Sequence, residues 1–206
     1  MANHYHLPTP LVEPREEGAR IADYLDRMFQ REGPPMFLKR DLGSPLTCHA
    51  VDAVLERHGV LPLNSPPGYP QYNGAMERSM RDLHEALDQR RRTTPPLPLT
   101  TDVELVTHQL NHRRLRSLGN RTPCQVFYDP AGRLQLHGAS RQKIFREVFE
   151  QFWQCLKTMP DRSRHQTTAL WRWVVESWLR RQGWITVKDK PQPNVSTNSQ
   201  PFFSQN

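Results

Sequence analysis

Two carboxylates, Asp41 and Glu77, have the residue types and spacing that a cation-binding site needs. Asp41 closes the segment MFLKRD, Glu77 lies one turn into a helix after the loop PPGYPQYN, and 35 residues separate the two acids. A strand, helix, strand and loop fill such an interval, and in an α/β layer this path returns Glu77 to the sheet edge at which Asp41 lies. Paired carboxylates repel unless a cation neutralises them, and oxygen ligands suit Mg²⁺ or Mn²⁺. The alternative is two unrelated surface acids, because an acid in the first turn also stabilises the helix dipole.

The helix that carries Glu77 begins at Asn73 and Gly74. Asparagine is a preferred N-cap residue, and glycine allows backbone conformations that other residues avoid. We therefore expect these two residues to form the entry into the helix and to position Glu77.

Composition narrows the class of protein. The 206 residues have 36% hydrophobic content, 19 prolines, a net charge of +7 and an isoelectric point near 9.7. This predicts one large domain, or one and a small one, together with loose segments. The positive charge favours a polyanionic partner, either nucleic acid or an acidic membrane face.

Several features argue against a disulfide-bonded, zinc-binding, secreted or membrane-spanning protein. The three cysteines lie far apart, which is typical of a reducing compartment. None of the nine histidines has a spacing that predicts tight zinc binding. No apolar run approaches the roughly 18 residues of a membrane span, and the N-terminus has no signal core. We expect a soluble protein of the cytoplasm, in a bacterium the cytoplasm or nucleoid, with no membrane partner.

Hydrophobic periodicity predicts alternating helices and strands. Helices are predicted over 15–31, 44–59, 74–92 and 102–115, and strands over 34–41 and 60–65. The predicted N-caps are Ser44 or Thr47 for the second helix and Thr101 or Asp102 for the fourth. The expected buried stripe of the third helix is Met76, Met80, Leu83 and Leu87. This order of elements predicts an α/β layer domain.

The pattern changes near residue 140. Two helical stripes follow, one of Ile144, Val148, Phe149 and Phe152 and the other of Trp171, Val174, Val175, Trp178 and Leu179. The segment GWITVKD is a candidate strand, so this part has a pattern similar to a small winged-helix unit. We predict an N-terminal arm (1–14), a core-like domain (15–133), a mostly helical module (140–190) and a disordered tail (191–206).

The region around the two acids resembles a known family. Residues 39–87, including SPLT, PQYNGAMER and the acids themselves, and the segment LNHRRLRSLGNRTPCQVF at 110–127, resemble the catalytic core of retroviral-type integrases and insertion-sequence transposases, the DDE superfamily. The resemblance covers roughly residues 15 to 130. It implies a ribonuclease H-like fold, and Asp41 and Glu77 would be the second and third acids of the catalytic triad and its metal ligands. Asn73 and Gly74 would belong to the active-site loop.

The resemblance also implies the chemistry. Members of the family cleave and transfer DNA strands, and two divalent ions about 4 Å apart stabilise both the attacking and the leaving oxygen. The implied cofactor is Mg²⁺ or Mn²⁺ and the implied partner is DNA. No covalent enzyme intermediate is needed.

Four departures bear on activity. Family members carry the first acid on an initial strand, whereas here only a helix precedes MFLKRD, so the chain looks truncated at its N-terminus. Leu42 stands where Asn is usual, Leu110 for Tyr, and Arg114 to Arg116 for the usual Arg-Pro-His. We therefore expect a partial ribonuclease H-like fold. We also expect the chain on its own to have little or no catalytic activity. Its partners would be a second copy or a separate fragment that supplies the missing Asp.

Several arginines are candidates for contacts with DNA phosphates beside the implied catalytic site. The candidate nucleic-acid-binding residues are Arg90, Arg91, Arg92, Arg113, Arg114, Arg116 and Arg121. A solvated basic surface is the alternative for each of them. Two other functions remain open: a nucleic-acid-binding remnant without catalysis, and a protein-interaction module whose charge is incidental.

Overall fold

The computed structural model describes residues 4–7, 17–41, 45–66, 73–131, 136–160 and 162–185. The elements are α1 (Gly18–Glu32), β1 (Phe37–Arg40), a 3₁₀ turn (Pro45–Thr47), α2 (His49–His58), β2 (Leu61–Asn64), α3 (Gly74–Thr93), α4 (Leu99–His112), a 3₁₀ turn (Arg116–Leu118), α5 (Pro123–Phe127), α6 (Gly138–Thr158) and α7 (Arg164–Arg181). The described part is therefore mostly helical with a small sheet. No helix in it is long and apolar enough to cross a membrane.

The sheet consists of β1 and β2, which pair in parallel from Phe37 opposite Leu61 to Arg40 opposite Asn64. Parallel strands need a crossover connection, and α2 supplies it. Because successive side chains alternate between the faces of a sheet, each face contributes to a different apolar cluster. Leu38 packs with α1 and α2. Phe37, Leu61 and Leu63 pack with α6 and α7.

The first helical layer is built on α1 and α2. The buried residues of α1 recur at helical spacing (Ile21, Ala22, Leu25 and Phe29), and they meet Val51, Val54 and Leu55 of α2. Helix α2 ends at Gly59, whose φ of 62° is the left-handed conformation that glycine adopts without strain. A Cβ at Gly59 would also lie 2.7 Å from Cγ of Arg141. Glycine thus ends α2 and leaves room for a side chain of α6.

The second helical layer consists of α6 and α7, and it is fastened to the sheet by polar contacts as well as by its core. Trp171 Nε1 donates to the carbonyl of Pro62 at 2.6 Å. The buried guanidinium of Arg141 donates to the carbonyls of Pro35 and Pro34 at 2.7 and 2.8 Å. Burial lowers the pKa of Arg141. The predicted domain boundary near residue 140 stays a prediction, and α6 and α7 share an apolar cluster with the strands.

Most predicted elements are present, but the buried stripe of α3 was only partly right, since Leu83 and Leu87 are half-buried and the two methionines are exposed. No residue of α3 is buried, and Met76 and Met80 are 52% and 44% exposed. The physical reason is the partner that α3 has. It packs mainly on α4, through a half-buried face that includes Ser79, Asp82 and Ala86, which leaves the methionines facing away.

Two predicted helix starts also need correction. A 3₁₀ turn precedes α2, and Cys48 occupies its N-cap position, not Thr47; Ser44 lies outside the described residues. Helix α4 begins at Leu99, before both predicted caps, because the carboxylate of Asp102 is bound by arginines of α3 instead.

Several predictions fall mostly outside the described residues. These are the tail (191–206), the arm except residues 4–7, and the candidate strand GWITVKD beyond Ile185. The two aromatic stripes after residue 140 are confirmed as core, with Val148, Phe152, Trp171 and Trp178 buried.

Candidate functional site

The end of β1 and the start of α3 meet through side chains. Asn73 Nδ2 donates to Asp41 Oδ1 at 2.5 Å. The amide oxygen of Asn73 accepts from Ser65 Oγ at 2.9 Å, and the backbone N–H of Ser65 donates to the carbonyl of Arg40 at 2.8 Å. The carboxyl ends of parallel strands lie at one edge of their sheet. Asp41, Ser65 and Asn73 therefore form one continuous polar rim there.

Asn73 has a role different from the predicted one. It occupies the N-cap position of α3, but its side chain makes no capping hydrogen bond, because the amide is engaged by Asp41 and Ser65. A Cβ on Gly74 would meet nothing within 4 Å. The helix start therefore has room for a side chain, and Gly74 does not adopt the positive φ that favours glycine; its place in an active-site loop stays a prediction.

Glu77 lies in the first turn of α3 and is exposed. Residues four apart on a helix are neighbours on its surface, so Glu77 follows Asn73 on the same side of α3. The contact between Asn73 and Asp41 thus relates the two predicted acids through one intermediate residue. Their catalytic and metal-binding roles stay predictions.

A buried arginine holds the strand end below the rim. Arg40 is 6% exposed and forms an ion pair with Asp52 at 2.7 Å. It also donates to Asn64 Oδ1 at 2.8 Å and to the carbonyl of Leu46 at 2.7 Å. Because Arg40 is anchored to α2 and β2, the next residue, Asp41, emerges at a fixed position. The KRD sequence showed a strand end but not which basic residue would be buried.

The donors at the rim are of the type that a divalent cation prefers, but their number is small. Asp41 and the amide of Asn73 offer hard oxygen ligands at the rim, and Glu77 lies one turn further along α3. Among the described residues, no group of three or more His, Cys, Asp or Glu side chains could hold a metal ion. These residues alone do not fit a two-ion site.

Three of the seven candidate DNA-binding arginines have intramolecular partners. Arg90 and Arg91 bind the fully buried carboxylate of Asp102 at 2.8 and 2.9 Å. Arg121 binds Asp129 at 2.7 Å. Burial opposes the ionisation of Asp102, but the hydrogen bonds from Arg90 and Arg91 outweigh it and hold the pKa of Asp102 below its ordinary value.

The other four candidates are exposed and have no carboxylate within ion-pair distance in the part of the chain described. They are Arg92, Arg113, Arg114 and Arg116. No ion pair with a described residue has to break before these side chains contact a phosphate. DNA binding by all seven stays a prediction.

The short N-terminal segment lies against α4, which the sequence did not predict. The backbone N–H of His6 donates to Asn111 Oδ1 at 2.8 Å, and Asn111 Nδ2 donates back to the carbonyl of His6 at 2.6 Å. Asn111 is 3% exposed. Tyr5 stacks on Phe127 with 4.1 Å between ring centroids, and burial followed by the hydrogen bond with Tyr128 raises the pKa of Tyr5. The only feature of the sequence that could have indicated this contact is Asn111, a polar residue on the buried side of α4.

No protein-family model matches the chain. No curated protein matches it either. Solved structures do match. A chain of the cryo-EM structure of the simian T-cell lymphotropic virus intasome in complex with the PP2A regulatory subunit B56 gamma has a TM-score of 0.54 and 18% identity. That match covers 61% of the present chain and 45% of the viral one, so the present chain spans less than half of it.

The catalytic core domain of BIV integrase is a second match, with a TM-score of 0.50, 24% identity, and coverage of 59% of this chain and 77% of that one. Identities this low establish the fold alone. A large part of the chain therefore has an integrase-like fold.

Proposed function

We propose that this chain is a DNA integration or transposition protein of a mobile element, with a partial ribonuclease H-like fold of the DDE type. The observation that carries the proposal is the hydrogen bond between Asn73 and Asp41. It joins the strand end to the helix of Glu77 in a chain whose fold is similar to integrase structures. The fold similarity supports the integrase-like architecture, and the assignment of Asp41 and Glu77 as its acids rests on the motif resemblance.

Charge supports DNA as the partner. The chain has a net charge of +7, and neutralising phosphates with Lys or Arg releases condensed counterions, which drives binding to DNA. In this proposal the exposed residues Arg92, Arg113, Arg114 and Arg116 contact the DNA backbone. Arg90, Arg91 and Arg121 contribute mainly to the fold, because their guanidinium groups already bind carboxylates.

We propose that the rim engages DNA without cleaving it unaided. Asp41 and Glu77 are the acids, and Asn73 is a positioning residue that orients the carboxylate of Asp41. Strand transfer needs a further acidic ligand to hold Mg²⁺ or Mn²⁺ at this rim, since the described residues place no third candidate there. A second copy or a separate polypeptide is the proposed source of that ligand.

The test measures binding and cleavage separately. Fluorescence anisotropy with a short duplex over a range of salt concentrations is expected to give an affinity that falls steeply with salt. Arg92→Gln is expected to reduce that salt dependence by about one counterion. Incubation of nicked and intact duplexes with Mg²⁺ or Mn²⁺ is expected to give no strand cleavage by the chain alone.

Two results would contradict the proposal in different ways. A binding curve that does not respond to salt would remove DNA as the partner. It would favour the protein-interaction alternative, for which the exposed Met76 and Met80 offer an apolar surface. Cleavage that disappears in Glu77→Gln would show that the site is complete without a further acid.

A further inference from the structure

A small polar cavity lies between α3, the end of α4 and the N-terminal segment. Its volume is about 180 Å³, below the roughly 300 Å³ at which pockets begin to hold drug-sized ligands. This space suits one small group and a few waters. The lining residues that could bind such a group are His6, Arg78, Ser79, Asp82, Arg113 and Ser117.

The charge of the cavity favours an anion. Arg78 and Arg113 approach it from α3 and from the residue after α4, and neither has a carboxylate within ion-pair distance in the described ranges. Asp82 lines the same cavity and opposes an anion. Two guanidinium groups and one carboxylate leave one net positive charge when the histidines are neutral.

Two of the other lining residues, His6 and Ser79, contact each other, and His6 is held by a buried amide. Ser79 Oγ and His6 Nε2 lie 3.3 Å apart. The backbone of His6 is fixed by the two hydrogen bonds with the buried amide of Asn111. Burial lowers the pKa of His6, which favours the neutral ring. The part of the lining that His6 and Ser79 form is thus held in place by hydrogen bonds.

We propose that this cavity binds a single phosphate group between the guanidinium groups of Arg78 and Arg113, with the hydroxyls of Ser79 and Ser117 as further donors. Arginine pairs with phosphate oxygens through its planar fork of N–H groups, and such charge-assisted hydrogen bonds are strong. The binding of phosphate rests on the cavity itself. Its assignment to a DNA backbone phosphate rests on the proposed function, and Arg78 directly follows Glu77 in α3.

The experiment uses two probes with the full chain. Isothermal titration calorimetry with inorganic phosphate measures the cavity alone, and anisotropy with a short duplex measures the backbone source. Arg78→Gln and Arg113→Gln are expected to weaken phosphate binding about tenfold each, as loss of one charge-assisted hydrogen bond predicts. Each is expected to lower the salt slope for the duplex by about 0.9.

Further variants separate local from general charge effects. Arg81→Gln makes the same change on an exposed residue of α3 that does not line the cavity, and it should leave phosphate affinity unchanged. Asp82→Asn removes the opposing charge and should tighten binding several-fold. Ser117→Asp adds an opposing charge at an exposed position and should weaken binding, and thermal melts establish that each variant is folded.

The outcomes distinguish phosphate binding by the cavity from DNA binding by the chain. Equal weakening by Arg78→Gln and Arg81→Gln, or no heat with inorganic phosphate at tens of millimolar, overturns the cavity while leaving DNA binding intact. Phosphate binding that depends on Arg78 and Arg113 in a chain that does not bind duplex supports the cavity and removes the proposed function.

Discussion

The amide of Asn73 lies 2.5 Å from the carboxylate of Asp41, although 31 residues separate them in the sequence. The same amide accepts from Ser65, so one side chain joins the ends of both strands to the first turn of α3. Through this contact the helix turn that carries Glu77 is linked to the sheet edge.

Replacement of Asn73 tests the rim. Asn73→Ala should cost about 1 kcal/mol of unfolding free energy, the usual net value of a hydrogen bond. Asn73→Asp should cost more, because it sets a carboxylate against Asp41, and Mg²⁺ should recover part of the loss. Urea unfolding with and without Mg²⁺ measures both effects.

The exchanged pair, Asp41→Asn with Asn73→Asp, is the control. It restores one amide and one carboxylate in contact, so it should be more stable than Asn73→Asp alone. If Asn73→Asp were as stable as the natural chain, the contact would be absent in solution.

Asp102 should make stability depend on acid pH. Because the folded pKa lies below the unfolded value, its contribution is full above about pH 4, the ordinary range for Asp. The contribution is lost as the pH falls through the folded pKa. Asp102→Asn should therefore be less stable than the natural chain at neutral pH, and the difference should shrink near pH 2.

Urea midpoints over that pH range measure this effect. Asp88→Asn is the matched control, since it makes the same change of carboxylate to amide at an exposed position of α3. A constant difference between Asp102→Asn and the natural chain at all pH values would contradict the assignment.

Arg91 and Arg92 should behave oppositely although they are adjacent. Arg91→Gln removes a partner of the buried Asp102 and should lower the melting temperature by several degrees. Arg92→Gln should leave the melting temperature within about a degree and reduce the salt slope of duplex binding. Thermal melts and anisotropy on both variants check this, and identical behaviour would refute the distinction.

Trp171 should stabilise the sheet as well as α7. Trp171→Phe removes the hydrogen bond to Pro62 and should cost about 1 kcal/mol, whereas Trp171→Ala should cost about 3 to 5 kcal/mol. Trp153→Ala, at a site 54% exposed on α6, should cost about 1 kcal/mol or less. A single urea transition for all three is expected; loss of α6 and α7 before the sheet would indicate an independent module.

Met80 should tolerate a polar residue. At 44% exposure, Met80→Gln should change the unfolding free energy by about 0.5 kcal/mol or less. Leu110→Ala, at a buried position of α4, should cost about 2 to 5 kcal/mol. Urea unfolding compares them, and a cost above about 2 kcal/mol for Met80→Gln would mean that the stripe of α3 is covered.

Local patterns predicted much of the fold. The strands at MFLKR and LPLN and the stripes of α6 and α7 follow from periodic apolar residues, which act over a few turns. The exposure of Met76 and Met80 did not follow, because periodicity identifies an apolar face but not what covers it. The packing of α6 and α7 on the sheet likewise depends on contacts such as that between Trp171 and Pro62, far apart in the sequence.

The candidate site was predicted in part for the same reason. The acids and Asn73 could be selected by type, order and resemblance to a family. The hydrogen bonds of Asn73 to Asp41 and Ser65, and the capture of Arg90 and Arg91 by Asp102, depend on tertiary structure. The docking of His6 against Asn111 had no local sequence signal beyond one polar residue on α4.

The most direct test of the account is a map of amide chemical shifts as a short duplex is added to the isotope-labelled chain. We expect the largest changes at Asp41, Asn73 and Glu77 and at the neighbouring Arg78, with little change in the buried stripes of α6 and α7. Changes confined to α6 and α7, or none at any DNA concentration, would contradict the claim that this rim of the sheet is a DNA-binding site.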